Sequence, residues 1–206
     1  GSEIQGQKSG SHGHVAATSF FPAKPLGCYG DGGSIFTNDD ELSIIMKSIR
    51  VHGGGSDKND NIRVGLNGRL DTFQAAVLLE KLSIFPYELN KRNNVADYYT
   101  NNLLDQFTPQ RISDDYLSSW AQFSIMAKSK QHRDFILNNL KEKNIPVAVY
   151  YRIPLHLQKV FRDLGYQIGD FPIAEKTADH IFSIPMHPYL EQDQQDKILE
   201  ALHEIA

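Results

Sequence analysis

The chain has 206 residues, of which 40% are hydrophobic and 10% aromatic, with a formal charge of −4. That length accommodates one large domain or two small ones, with enough apolar material for a core. Lysines and arginines are scattered, which argues against nucleic acid or an anionic membrane as the main partner. The single cysteine, Cys28, rules out an intrachain disulfide and suits a reducing cytoplasm. No apolar run approaches the roughly 20 residues that span a bilayer, and the polar, glycine-rich start does not read as a signal peptide.

Residues 1–13 are rich in Gly, Ser and Gln and read as loop. A short buried strand is predicted over 14–20, ended by the turn formers Pro22 and Pro25, and a second over 33–37. Asn38 or Asp39 should cap a helix starting near Asp40, in which Leu42, Ile45, Met46 and Ile49 recur at helical spacing. Residues 51–61 are too polar and glycine-rich for regular structure, and a loop of that length is uncommon unless it has a role. The run 71–104 is strongly helical, with Phe73, Ala76, Val77 and Leu82 among its apolar positions. Pro86 should kink or divide this helix, which is long enough to bridge two lobes. Further on, strands are predicted over 120–126 and 147–151 and helices over 130–143 and 192–205, an α+β pattern for a small second lobe.

Lys24 lies between Pro22 and Pro25, after an apolar segment and before Gly27, Gly30, Gly32 and Gly33. A lysine fixed in a rigid turn at a strand end is a candidate functional group. Desolvation there would lower its pKa and supply the neutral amine that Schiff-base chemistry needs. Spacing alone, however, favours a surface lysine in a Pro/Gly loop. His12 and His14 are neighbours without further ligand spacing, so no metal site is expected. The 53–55 glycines lack the Gly-Lys-Ser/Thr of a P-loop.

Three blocks carry a family resemblance. Ser19-Phe20-Phe21-Pro22-Ala23-Lys24-Pro25-Leu26-Gly27, followed by Gly30-Asp31-Gly32-Gly33, resembles the cofactor-lysine segment of the DegT/DnrJ/EryC1/StrS sugar aminotransferases, which depend on pyridoxal 5'-phosphate (PLP). Gly65-Leu66-Asn67-Gly68-Arg69-Leu70-Asp71, with Gln74-Ala75-Ala76 behind it, resembles the motif before that family's long helix. Tyr150-Tyr151-Arg152-Ile153-Pro154-Leu155-His156 and Ser183-Ile184-Pro185-Met186-His187-Pro188 resemble its small-domain signatures. The blocks occur in family order over nearly the whole chain.

The resemblance implies an α/β fold: the C-terminal part of a fold-type I PLP aminotransferase. Residues 1–88 would be the remainder of the large cofactor-binding domain, and 89–206 a linking helix and a small α+β domain. Lys24 would hold PLP covalently, and Ser19 would hydrogen-bond its phosphate. Asn67 would reach the phosphate of a neighbouring subunit's cofactor, which makes a homodimer with shared sites obligatory. His156 would lie in the sugar-nucleotide pocket, and Arg50, His52 and Lys58 would meet the diphosphate.

Each role has a competitor in the residues themselves. Ser19 also reads as a strand end, Asn67 as a turn residue in left-handed backbone, His156 as a core or surface histidine, and the charged loop as merely solvated. Arg69 and Asp71 read as an ion pair or helix start.

Other parts of the family's PLP site precede the lysine: a ring-stacking aromatic, an acid for the pyridinium nitrogen and a phosphate-binding turn. None is found here, so the chain is expected to be a fragment, inactive alone, with the missing segment possibly a separate chain; a non-catalytic scaffold relative is the alternative. The implied reaction moves an amino group from glutamate to a keto-sugar on UDP or dTDP, with Lys24 as proton carrier. Lys24 argues against the dehydratase branch, which has histidine there. Residues 52–58 and 151–187 resemble members that aminate position 3 of a UDP-linked N-acetylated keto-uronic acid for bacterial surface polysaccharide or lipopolysaccharide. Amination at position 4 of a 4-keto-6-deoxy sugar is the near alternative. A weaker reading is a glycan-binding lobe stacking on Trp120, Tyr150 and Tyr151.

Overall fold

The computed structural model of the chain describes residues 1–57 and 59–205. The backbone divides into two compact units, one of Gly1–Leu89 with Ser113–Ser119, the other of Asn90–Ile112 with the chain from Trp120 onward.

The first unit opens with structure where the sequence predicts loop. Strands β1 (Glu3–Ile4) and β2 (Gln7–Lys8) form an antiparallel hairpin. Its two turn residues, Gln5 and Gly6, have φ of 49° and 76°, the positive pair that a tight hairpin turn requires. The other edge of β1 pairs with β6 (Tyr116–Leu117), more than a hundred residues away. Strands β3 (Ala16–Ser19) and β4 (Gly33–Phe36) form a second antiparallel ribbon, in register from Ala16 opposite Phe36 to Ser19 opposite Gly33. The predicted burial of the first of these strands is not met. The ribbon has two strands only and leaves Val15, Ile35 and Phe36 exposed.

Helix α1 (Asp40–Arg50) begins where Asp39, the one of the two candidates that acts as cap, accepts a 2.9 Å hydrogen bond from the Leu42 N–H. Asp40 and Glu41 in its first turn and Lys47 and Arg50 in its last complement the helix dipole. Helix α2 (Thr72–Asn102) is a single helix with Pro86 inside it, so the proline does not divide it. The lost bond falls on the Leu82 carbonyl, and Leu82 is exposed, so water can take the place of the missing N–H. Among the described residues the buried apolar side chains of this unit are Cys28, Leu78 and Leu89, while Phe73, Leu79 and Leu82 on α2 are exposed. No described helix is long and apolar enough to cross a membrane.

The second unit builds a sheet of order β5-β7-β8, all antiparallel, from Thr108–Pro109, Phe123–Met126 and Ile181–Ile184. Helices α3 (Lys130–Glu142), α4 (Pro172–His180) and α5 (Gln192–Glu204) accompany it. Phe123, Ile125, Ile136, Leu140, Phe182 and Leu202 are wholly buried in one cluster with Val95, Ala96 and Tyr99 from the later turns of α2. The strand predicted over 147–151 shrinks to one bridge, Ala148 to Ser183, with N–H to O distances of 3.2 and 2.7 Å. High β-propensity makes no strand where the neighbouring edge offers one partner.

Candidate active site

The β3–β4 ladder ends at Ser19 and Gly33, and the loop between them carries Lys24. Two bonds of 2.8 Å close its neck, from Phe20 N–H to the Gly32 carbonyl and from Cys28 N–H to the Phe20 carbonyl. Within it, Lys24 N–H donates to the Phe21 carbonyl at 2.9 Å, and Phe21 N–H donates to Ser19 Oγ at 3.2 Å. The Ser19 hydroxyl therefore accepts from the loop and keeps its own proton free to donate. Gly27 is a steric necessity: a Cβ there would stand 2.6 Å from the Phe21 carbonyl oxygen. Lys24 itself is exposed, so the expected desolvation is not supplied by this chain's described residues. The loop crowns a two-stranded ribbon.

A second cluster is assembled by backbone pairing. Val51 bridges Asn67, Gly68 N–H donates to the Arg50 carbonyl at 2.8 Å, and His52 N–H donates to the Leu66 carbonyl at 3.0 Å. These bonds bring Arg50, His52 and Asn67 onto one paired segment with all three residues exposed. The pairing depends on two glycines that cross. A Cβ on Gly53 (φ 75°) would lie 1.8 Å from the Arg63 carbonyl oxygen, and one on Gly65 would lie 2.0 Å from Gly53 N. The residue in left-handed backbone is His52, at φ 59°, and not Asn67. Asn67 Oδ1 accepts from Arg69 Nε at 3.0 Å, so Arg69 serves the asparagine, while Asp71 starts α2 with its carbonyl on Ala75 N–H. Lys58 lies outside the described residues. Leu70 ties the two clusters together, since a Cβ on Gly32 would meet its Cδ1 at 2.9 Å and Cys28 Sγ at 3.0 Å.

His156 belongs to the second unit, in a single 3-10 turn, Leu155–Leu157. Its Nε2 lies 3.1 Å from Glu175 Oε1, with the two side chains 8% and 18% exposed, and its ring packs on Phe171 at 4.7 Å. Glu175, on α4, also accepts from Gly169 N–H at 2.9 and 3.0 Å and from Phe171 N–H at 3.3 Å. Sequence reasoning missed Glu175, because a lone acid 19 residues after a histidine carries no spacing signal. The Gly169 N–H foremost, then His156 and the Phe171 N–H, hold the Glu175 carboxyl below its ordinary value of 4.5, against an opposing effect of burial.

A depressed folded pKa means stability that is present above the ordinary value and lost as pH falls through the lowered one. Glu175→Gln should therefore be less stable than the parent at neutral pH, with the gap closing as pH drops from about 5 downward. Urea unfolding of both proteins across that range checks this; a gap that does not change with pH would show that the carboxylate charge is not what the clasp uses.

The first unit thus presents an amine on a tightly folded turn, a hydroxyl at the foot of its loop, and an amide with cationic neighbours on a paired segment. The chain matches the DegT/DnrJ/EryC1/StrS aminotransferase family over residues 1–203, and it belongs to that family. It is 43% identical over 193 residues to the UDP-2-acetamido-2-deoxy-3-oxo-D-glucuronate aminotransferase of Pseudomonas aeruginosa, covering 93% of this chain and 52% of that protein. A crystal structure of a DegT DnrJ EryC1 StrS aminotransferase from Brucella abortus superposes with a TM-score of 0.92 at 43% identity, covering 98% of this chain and 54% of the other. The S. venezuelae DesV structure, solved in complex with a ketimine intermediate, gives 0.91 at 30% identity, with 98% and 54% covered. The fold is thus the C-terminal part of this family's α/β architecture, and the chain spans about half the length of the relatives it matches.

Proposed function

We propose that the protein is a PLP-dependent aminotransferase of a nucleotide-linked keto-sugar, in which this chain supplies the lysine half of the active site. The observation that carries the reading is Lys24, held by its own backbone in a glycine-dependent turn within two hydrogen-bonded steps of the Ser19 hydroxyl. The donor set fits the cofactor: a primary amine for its aldehyde, and a hydroxyl, a carboxamide and guanidinium groups for its phosphate. When bound, the cofactor supplies an electron sink for the carbanion formed at the donor's α-carbon.

The chain's residues do the rest. The Lys24 amine would hold the cofactor and, with an amino donor such as glutamate in the site, would carry the proton that leaves the donor's α-carbon. Ser19 anchors phosphate at the foot of the lysine loop. Asn67, steadied by Arg69, serves the phosphate of a second copy's site in a homodimer, and Arg50 and His52 face the sugar diphosphate. His156 serves the sugar pocket through its clasp on Glu175, which orders residues 155–175. A complementary N-terminal segment, on the same polypeptide or as a separate chain, covers Lys24 and completes the pocket.

The 43% identity to the P. aeruginosa enzyme supports a UDP-linked 3-keto N-acetylated uronic acid as substrate, and the amino sugar formed would enter cytoplasmic synthesis of bacterial surface polysaccharide. The complete protein, given PLP, glutamate and that sugar, should form 2-oxoglutarate and an amino sugar of matching mass. Turnover of a UDP- or dTDP-4-keto-6-deoxy sugar alone would move the reading to position 4. Binding without turnover of either would favour a scaffold.

A further inference from the structure

Two side chains of α2 hold the loop downstream of Lys24, and nothing in the proposed chemistry uses them. Lys81 Nζ donates to the Gly27 carbonyl at 2.5 Å and stands 5.8 Å from the centroid of the Tyr29 ring. Gln74 Oε1 accepts from Tyr29 N–H at 2.8 Å, and a Cβ on Gly30 would meet the Gln74 amide nitrogen at 3.1 Å. Residues seven apart lie on one face of a helix, about 10 Å along its axis. The stretch 27–30 is therefore fastened along α2 at two points. Between them Cys28 is 1% exposed, its Sγ 3.0 Å from the carbonyls of Phe20 and Gly30.

We infer that Lys81 and Gln74 are positioning residues that set the Lys24 amine by clamping Gly27–Gly30 to α2. The inference rests on the reading of Lys24 as the cofactor lysine. Lys24 is three residues from Gly27, with the stiff Pro25 between, so the clamp fixes one stem of its loop while the Phe20 bonds fix the other. Lysine suits the first point because its charge strengthens a bond to a carbonyl and its long stem reaches it. A glutamine suits the second because its carbonyl oxygen takes up the Tyr29 N–H, which the β3–β4 ladder leaves outside its register.

The only thiol of the chain sits inside the clamp and reports on it directly. In the protein used for the activity assay, Lys81→Met should speed modification of Cys28 by a disulfide reagent about tenfold, the value of one charge-assisted hydrogen bond. The urea midpoint should fall by no more than that same tenfold change in the folding equilibrium, and Lys81→Arg should restore protection. Gln74→Leu should act in the same direction, which keeps the test open if Lys81→Met folds poorly. Borohydride trapping of PLP on Lys24, read by mass spectrometry of the peptide holding both residues, should drop in Lys81→Met and recover in Lys81→Arg. Wild-type rates of Cys28 modification in both Lys81→Met and Gln74→Leu would overturn the clamp. Unchanged trapping with faster Cys28 modification would overturn its positioning role. Absence of trapping at Lys24 in the wild type would overturn the functional reading itself.

Discussion

Lys24→Ala should reduce amino transfer to the sugar nucleotide by roughly a factor of 10⁴ or more, because it removes both a covalent anchor and a proton carrier. The two losses are separable. Without the ε-amine, the absorption band of lysine-held cofactor disappears even if PLP still enters the pocket. A small primary amine in solution should then restore part of the proton transfer but none of the anchoring. The fold should be untouched, since the Lys24 side chain is exposed and its backbone bond to Phe21 survives the change. Absorbance, turnover with and without added amine, and a urea curve make the test complete. An unaltered band in the variant would remove Lys24 from the mechanism.

Gly53→Ala should have the largest effect of any single methyl in the first unit. Two costs add: a left-handed φ of 75° that disfavours any Cβ, and a backbone oxygen 1.8 Å from where that carbon would stand. Neither the Arg63 carbonyl nor the Gly65 nitrogen can retreat without breaking the pairing that sets Arg50, His52 and Asn67. A loss of roughly 3 kcal/mol or more is expected. Gly6→Ala is the control. Its φ is 76°, yet a Cβ there meets nothing within 4 Å, so only the strain of about 1 kcal/mol remains. Unfolding curves and amide exchange over 51–54 and 65–68 would separate the two; equal effects would mean that the crossing of Gly53 and Gly65 is not tight.

The sequence made some features readable because their cause is local. The Asp39 cap, the helical spacing of α1 and the turn over Pro22-Ala23-Lys24-Pro25 each depend on residues within a few positions, and each is found as expected. Hairpin β1–β2 was hidden because two-residue strands carry no alternation to read. Its third strand, β6, joins from a remote stretch that no local pattern announces. The site divides in the same way. Residues 19–27 declare themselves by motif, whereas the proximity of Arg50 to Asn67 comes from a crossing of two glycine backbones, and the hold of Glu175 on His156 from a helix that starts 16 residues later. Spacing alone read Lys24 as a surface lysine, as it is in this chain; whether its amine is desolvated was illegible, because burial is a property of what packs above a loop and not of the loop's own letters.

The unequal burial of the two units has a consequence for handling the molecule. One unit hides seventeen apolar side chains in a continuous cluster, while among described residues the other hides three and turns Phe21, Phe36, Val64 and Phe73 toward water. Wetted hydrocarbon is unfavourable by about 25 cal/mol for each Å². In dilute buffer, then, the lysine-bearing unit should gain order from whatever covers that hydrocarbon, so its melting point should rise with protein concentration or with any molecule that coats it.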